Sequence, residues 1–215
     1  MAREFANTAG SPNIDYVVYP TFPPVAGLGT CSIVMRVALD SDCPNYGNIF
    51  NCVDVAQDDG IGAGRHATYH VMFTLFRNAE GIRITRFPFT FDGTMRSVVS
   101  TFDGAAGTKC VAYVNGVSQV VTDQPTATTI GTPTQMGIAN NAGYRMNGRL
   151  AELAIYARVL SADEAAMHAA GYSCKHFPSG LIFYAPLIRD VHDIVGGLTG
   201  TITGTTVSDH PRIYA

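Results

Sequence analysis

The residues able to do chemistry are few and scattered. Four glutamates, Glu4, Glu80, Glu152 and Glu164, stand far apart in the chain. Acid–base chemistry on a glycosidic bond needs two neighbouring carboxylates, one as nucleophile or base and one as acid. Glu152 lies in a strand-like run with Leu150 and Ala154 two residues to either side, so it has no acidic partner on its own face. No G-x-S-x-G or H-E-x-x-H stretch occurs, and no glycine-rich phosphate cradle. No catalytic residue is assigned, and the chain is not expected to be an enzyme. His66/His70 and Cys174/His176 approach the spacing of ligand pairs, but a structural zinc takes four converging ligands and His70 falls on a strand face. No metal site is expected. Cys31, Cys43, Cys52, Cys110 and Cys174 make an odd count of five without a C-x-x-C. They read as free, mostly buried thiols of a protein made in a reducing cytoplasm.

Hydrogen-bonding chemistry in turns is what remains. Asp40, Asp42 and Tyr46 fall in DSDCPNYGN, Asp58 and Asp59 in AQDDGIGAG, and Asn140, Asn141 and Tyr144 in NNAGYRMNG. Asp and Asn beside an exposed aromatic ring are the residue types that hold a sugar. The same Asp and Asn also suit turns, where their side chains bond local backbone, and both readings stand for each residue. No D-x-D-x-D-G cluster occurs; calcium is compatible with these loops but nothing indicates it, and no cofactor is expected.

The elements that would carry these turns are strands. In SIVMRVAL, Ile33, Met35, Val37 and Leu39 alternate with Ser32, Val34, Arg36 and Ala38. In YHVMFTLF, Tyr69, Val71, Phe73 and Leu75 alternate with their neighbours. IRITRF from Ile82, SVVSTF from Ser97, CVAYV from Cys110 and the run around Glu152 follow the same period. Asn115-Gly116 between β-rich flanks predicts a type I′ hairpin, whose two central residues need positive φ. One helix interrupts the pattern. Ser161 and Glu164 form an S-x-x-E capping box, alanines follow, and Gly171 is placed to stop the helix. A short helix near 161–170 is predicted, laid by its alanine face as a plug over one end of a sandwich.

Composition limits the partners. The 215 residues carry a formal charge of −3 without any Lys/Arg cluster, so the basic footprint that recruits nucleic acid is missing. No apolar run reaches membrane-spanning length. Glycine is abundant at 22 residues and charged residues make up only 14%, which fits short strands joined by many turns.

Taken in order, EFANTAGSPNIDYVVYP, CSIVMRV, SVVSTFDGAAGTKC, YVNGVSQVV and GRLAELAIYARVLSADEAAMHAAG resemble the laminin-G-like (LamG-like), concanavalin A-like jelly-roll family over residues 4–172. The resemblance implies an all-β jelly-roll sandwich with that one short helix. The chain departs from the family in lacking tryptophan. Glucanases of this fold carry a strand motif resembling E-x-D-x-x-E, which no part of this chain reproduces. SGLIFYAPLIRDVHDIVGGLTGTITGTTV resembles the segment that usually opens such a module, yet here it comes last. Residues 1–172 are therefore read as the LamG-like unit, and 173–215 as an extension supplying permuted strands and a terminal arm. Either the extension fills its slot in the same sandwich or it does so in a neighbouring copy; the first is favoured, with residues 181–187 beside the N-terminal strand. FANTAGS and DHPRIYA resemble small proteins of tailed bacteriophages. That resemblance implies a noncatalytic virion surface protein, a capsid decoration or cement subunit made in the bacterial host cytoplasm, with capsid proteins and copies of itself as partners. A carbohydrate-binding module for host or mucus attachment, with glycans as partners, is the alternative. Glycoside hydrolysis stands last.

Overall fold

Period-two alternation folds into two stacked antiparallel sheets. A computed structural model describes residues 2–6, 15–54, 56, 59–67, 70–78, 84–140, 145–187 and 190–209. Its strands are β1 (Ala2–Ala6), β2 (Tyr16–Tyr19), β3 (Thr30–Leu39), β4 (Asn48–Val53), β5 (Gly60–Arg65), β6 (Val71–Arg77), β7 (Ile84–Pro88) and β8 (Arg96–Asp103). They continue as β9 (Cys110–Val114), β10 (Val117–Ser118), β11 (Gln135–Ile138), β12 (Asn147–Tyr156), β13 (Leu181–Ala185), β14 (Thr201–Thr203) and β15 (Thr206–Ser208). An eight-stranded sheet runs β10-β9-β8-β3-β12-β1-β15 with β13 also on β12, and a seven-stranded sheet runs β14-β2-β11-β4-β5-β6-β7. Between them lies the main core. Phe76 stacks on Phe102 at 5.2 Å, Tyr19 meets Phe183 edge-on at 5.4 Å, and the Thr74 and Ser100 hydroxyls pair at 2.8 Å across the gap.

The expected strands are present and the turn chemistry holds, but YHVMFTLF enters its strand only at Val71: His70, expected on a strand face, sits exposed in the preceding turn at φ 60°, and Tyr69 lies outside the described residues. Asn115 (φ 50°) and Gly116 (φ 76°) join β9 to β10 in the left-handed region. Two elements differ from expectation. AQDDGIGAG reads as turn throughout, yet its second half is β5. Ile61 and Ala63 face the core, while Gly62 and Gly64 leave room for β6: a Cβ on Gly64 would sit 2.7 Å from the Phe73 ring. The glycines there serve close packing rather than bending.

The second difference is the helix. α1 (Ala162–Ala169) has the expected capping box, with the Glu164 N–H donating to Ser161 Oγ at 3.2 Å and the Ser161 N–H to Glu164 Oε2 at 2.9 Å. Arg158 clasps the same carboxylate. It does not plug an end of the sandwich, however. It packs over the outer face of the eight-stranded sheet, against β8 and β9, and its buried residues are Ala165 and His168 rather than an alanine stripe. Under it lies a second apolar cluster of Val34, Val99, Ala154, Tyr156, Leu160 and Tyr184. That cover explains why both faces of β3 are buried. Replacing Ser161 and Glu164 together by alanine is expected to cost about 1–2 kcal/mol, read as a lowered thermal midpoint; an unchanged midpoint would mean that packing alone holds the helix.

The late strands join the same two sheets. β13 pairs antiparallel with β12 from Leu153↔Ala185 to Tyr156↔Leu181, and β1 pairs further along the same edge from Arg3↔Leu150 to Ala6↔Asn147. β13 and β1 thus lie in line, sharing one neighbour. β14 adds to β2 and β15 to β1, so each sheet ends in a strand from the chain's last segment.

Candidate functional site

Antiparallel connectivity decides which turns can meet. Residues 40–47, 66–67, 70, 89–95, 139–140 and 145–146 all emerge at one end. Backbone bonds tie them together: Arg65 N–H to Gly47 O (2.9 Å), Gly93 N–H to Leu39 O (3.0 Å), Phe89 N–H to His70 O (2.8 Å) and Asp40 N–H to Asn147 O (3.1 Å). Asp40, Asp42, Tyr46 and Asn140 belong to this end. Asp59 belongs to the other. It sits in the β4–β5 turn, with its N–H on Asp54 Oδ1 at 3.2 Å. Six-residue β4 separates the two ends by about 20 Å, so the sequence candidates do not form one site. Successive turns of a meander alternate ends, which spacing along the chain hides. Asp58, Asn141 and Tyr144 lie outside the described residues.

The loop 40–47 is built as two tight turns, with Cys43 N–H on Asp40 O at 3.0 Å and Gly47 N–H on Pro44 O at 2.8 Å. From β5, the Arg65 guanidinium donates to the carbonyls of Ser41 and Cys43 and lies 4.9 Å over the Phe91 ring. Asp42 Oδ1 accepts from Asn147 Nδ2 at 2.7 Å, so that carboxylate fixes the loop. Asp40 is half-buried; burial first, and then the Asp42 carboxylate, push its carboxyl up, while Arg149 pulls it down. Tyr46 is held at φ 60° and 48% exposed, its ring edge-on to His66 at 5.7 Å. One loop thus carries both a half-exposed aromatic residue and a half-buried carboxylate. Asn140 closes the β11 side, its Cβ packed so closely that a Cβ on Gly137 would lie 2.5 Å away.

Two further features were not anticipated. At the opposite end, Gly29, Thr30, Asp103, Gly104, Ala105 and Thr128 line an open cleft of about 420 Å³; Asp103 Oδ1 is engaged by the Ala105 N–H at 3.1 Å. Beneath α1 lies a buried polar network centred on Glu152. Its Oε2 accepts from Arg36 Nε at 2.8 Å and contacts His168 Nε2 at 3.1 Å, and its Oε1 accepts from the Tyr184 hydroxyl at 2.5 Å. His168 Nδ1 in turn meets Ser97 Oγ at 2.7 Å. The order serine, histidine, carboxylate has the composition of a hydrolytic relay, but His168 and Glu152 are 0% exposed and Ser97 4%. No substrate reaches it in this conformation. Burial pushes the Glu152 carboxyl up, yet His168, Tyr184 and Arg36 together hold it below the usual range. In sequence the only signals were a lone glutamate inside an apolar strand and a histidine on an alanine helix.

Among the described residues no three His, Cys, Asp or Glu side chains come together as a metal site would require, and no helix is long and apolar enough to cross a membrane. A family model described as the concanavalin A-like lectin/glucanases superfamily (Laminin_G_3) matches residues 13–166. No curated protein sequence matches. Among solved structures, a Bacteroides ovatus protein assigned to carbohydrate binding superposes with a TM-score of 0.71 at 15% identity, over 98% of this chain and 60% of its own. The chain thus spans less than two thirds of that relative. A heptameric SAP-like pentraxin from Limulus polyphemus gives 0.65 at 16%, covering 94% and 95% of the two chains. A botulinum neurotoxin type C structure, from a toxin whose cell entry depends on interaction with two ganglioside molecules, gives 0.51 at 12%, covering 78% and 45%. At these identities the likeness is one of fold.

Proposed function

We propose, for a chain that belongs to the concanavalin A-like lectin/glucanases superfamily, a carbohydrate-binding function without catalysis, located at the end that carries Asp40, Tyr46 and Asn140. The observation that carries this reading is Tyr46. It is a non-glycine residue in the left-handed region, its ring edge-on to His66, and it is about half exposed to solvent. An ordinary turn has no need of an aromatic ring there, whereas a sugar face stacks on one. Asp40, at the start of the same loop, offers a carboxylate that can accept from sugar hydroxyls. The relative assigned to carbohydrate binding and the toxin whose cell entry depends on gangliosides support the reading at the level of fold.

A capsid decoration role has no counterpart among those relatives. The sequence features behind it include segments 7–14 and 210–215, which lie outside the described residues. If the protein sits on a virion surface, copies per particle decide its part there: hundreds would make it a decoration subunit, a handful an attachment module.

The direct test is a glycan array, followed by titration with the best saccharide. Tyr46→Ala is expected to weaken binding at least about tenfold, as loss of a ring contact does, while Asp59→Ala at the opposite end leaves it unchanged. Equal affinity of wild type and Tyr46→Ala, or loss on Asp59→Ala alone, would move the site elsewhere.

A further inference from the structure

Helix α1 is fastened to its sheet by a side chain that can change charge. His168 is wholly buried. The groups facing it and its helix are Arg36 from β3, Glu152 and Tyr156 from β12, Ser97 from β8, Tyr113 from β9, Cys174 from the turn after the helix, and Tyr184 from β13. Arg36 and Glu152 already pair one to one at 2.8 Å. With a neutral imidazole the site is therefore uncharged: Nε2–H donates to Glu152 and Nδ1 accepts from the Ser97 hydroxyl. A second proton on the ring would add a buried cation with no second carboxylate to meet it. Burial pushes the Tyr184, Tyr156 and Cys174 hydroxyl and thiol groups up, so none of them turns into an anion to compensate. A buried charge in that position is relieved by reaching water.

The element carrying it is lightly packed. α1 buries only Ala165 and His168, and a Cβ on Gly116 would touch its Ala166 and Ala169, marking the hairpin contact on its flank. Arg36 Nη2 donates to the carbonyls of His168 and Tyr172, so the same cluster also holds the helix's C-terminal end. We propose that His168 is an acid-operated latch, whose protonation releases α1 from the outer face of the eight-stranded sheet and uncovers the apolar cluster beneath it while the main core stays closed. Local opening of a lightly packed element ahead of global unfolding is the general behaviour of folded domains.

The sign follows from linkage. Burial, partly offset by Glu152, lowers the folded-state value of His168 below 6.5. Its contribution to closure is thus complete above about pH 6.5 and is lost as pH falls toward the folded value. An opened, solvated histidine titrates normally, so the open population grows as pH falls below 6.5, by at most about thirtyfold between pH 7.5 and 5.0.

Hydrogen exchange read by mass spectrometry and corrected for the intrinsic rate tests this on the whole chain. Peptides covering 162–172 should exchange several-fold and at most about thirtyfold faster at pH 5.0 than at 7.5, with β3 and β8 unchanged. His168→Gln keeps a donor for Glu152 but cannot titrate, and its helix should show no such dependence. If that variant fails to fold, an NMR titration of the wild-type His168 ring decides instead, since the latch requires ring protonation and helix opening to share one midpoint. A pH-independent helix, equal acceleration in His168→Gln, a ring that protonates while 162–172 stays protected, or simultaneous loss of β3 and β8 protection would each overturn the proposal.

Discussion

Replacing Glu152 by alanine is expected to lower stability by about 3–5 kcal/mol, the usual result of breaking a buried ion pair from one side. For a chain of this size that is a fall in thermal midpoint of about 6–20 °C. The magnitude comes from what is left behind. Arg36 Nε, His168 Nε2 and the Tyr184 hydroxyl all lose the carboxylate that they share, and Arg36 remains a buried cation only 6% exposed. The asymmetry provides a control. Arg36→Met, Glu152→Leu and His168→Leu made together remove donors and acceptor at once, and should recover most of the loss, because an apolar replacement of a whole buried network is often neutral. Differential scanning calorimetry of the two variants checks both halves. A single variant as stable as wild type would mean that water enters beneath α1 and solvates the network.

Phe183→Ala is expected to cost about 3–5 kcal/mol, as for other buried phenylalanines. Phe183 is 0% exposed, lies in β13 opposite Ile155, and reaches the facing sheet through its edge contact with Tyr19 at 5.4 Å. The experiment asks whether the late segment belongs to its own sandwich. If β13 completes the core in cis, urea midpoints of dilute, monomeric protein fall sharply, and do so independently of protein concentration. If the segment instead serves a neighbouring copy, the loss appears only at concentrations where copies associate. Val207→Ala on β15, 47% exposed, should change the midpoint little in either case.

How much was legible beforehand can be seen residue by residue. The alternation of Ile33, Met35, Val37 and Leu39 predicted β3 and its core face, since a strand's side chains must alternate whatever surrounds them. Asn115-Gly116 predicted its hairpin and Ser161 with Glu164 the helix start, because positive φ and orphaned N–H groups are local demands with local solutions. The glycines of β5 misled: Gly62 and Gly64 look like turn residues until Phe73 and Leu75 are seen lying over them. The candidate site residues were chosen by type and loop, and only part of that choice converged. Asp40, Asp42, Tyr46 and Asn140 share an end; Asp59 does not.

By itself, then, the sequence determined the fold class, the strongly alternating strands such as β3, β8, β9 and β12, the hairpin and the helix cap, all of which depend on residues close together in the chain. The tertiary structure alone decided what long-range pairing controls. It laid α1 on a face rather than an end, and set β13 beside β12 in line with β1. It separated the Asp59 turn from the Tyr46 loop, and gave the solitary Glu152 its partners from β3, α1 and β13. Those partners lie between 16 and 116 residues away. No local pattern constrains contacts at that range; they are selected by the burial of a charge that cannot be left unpaired.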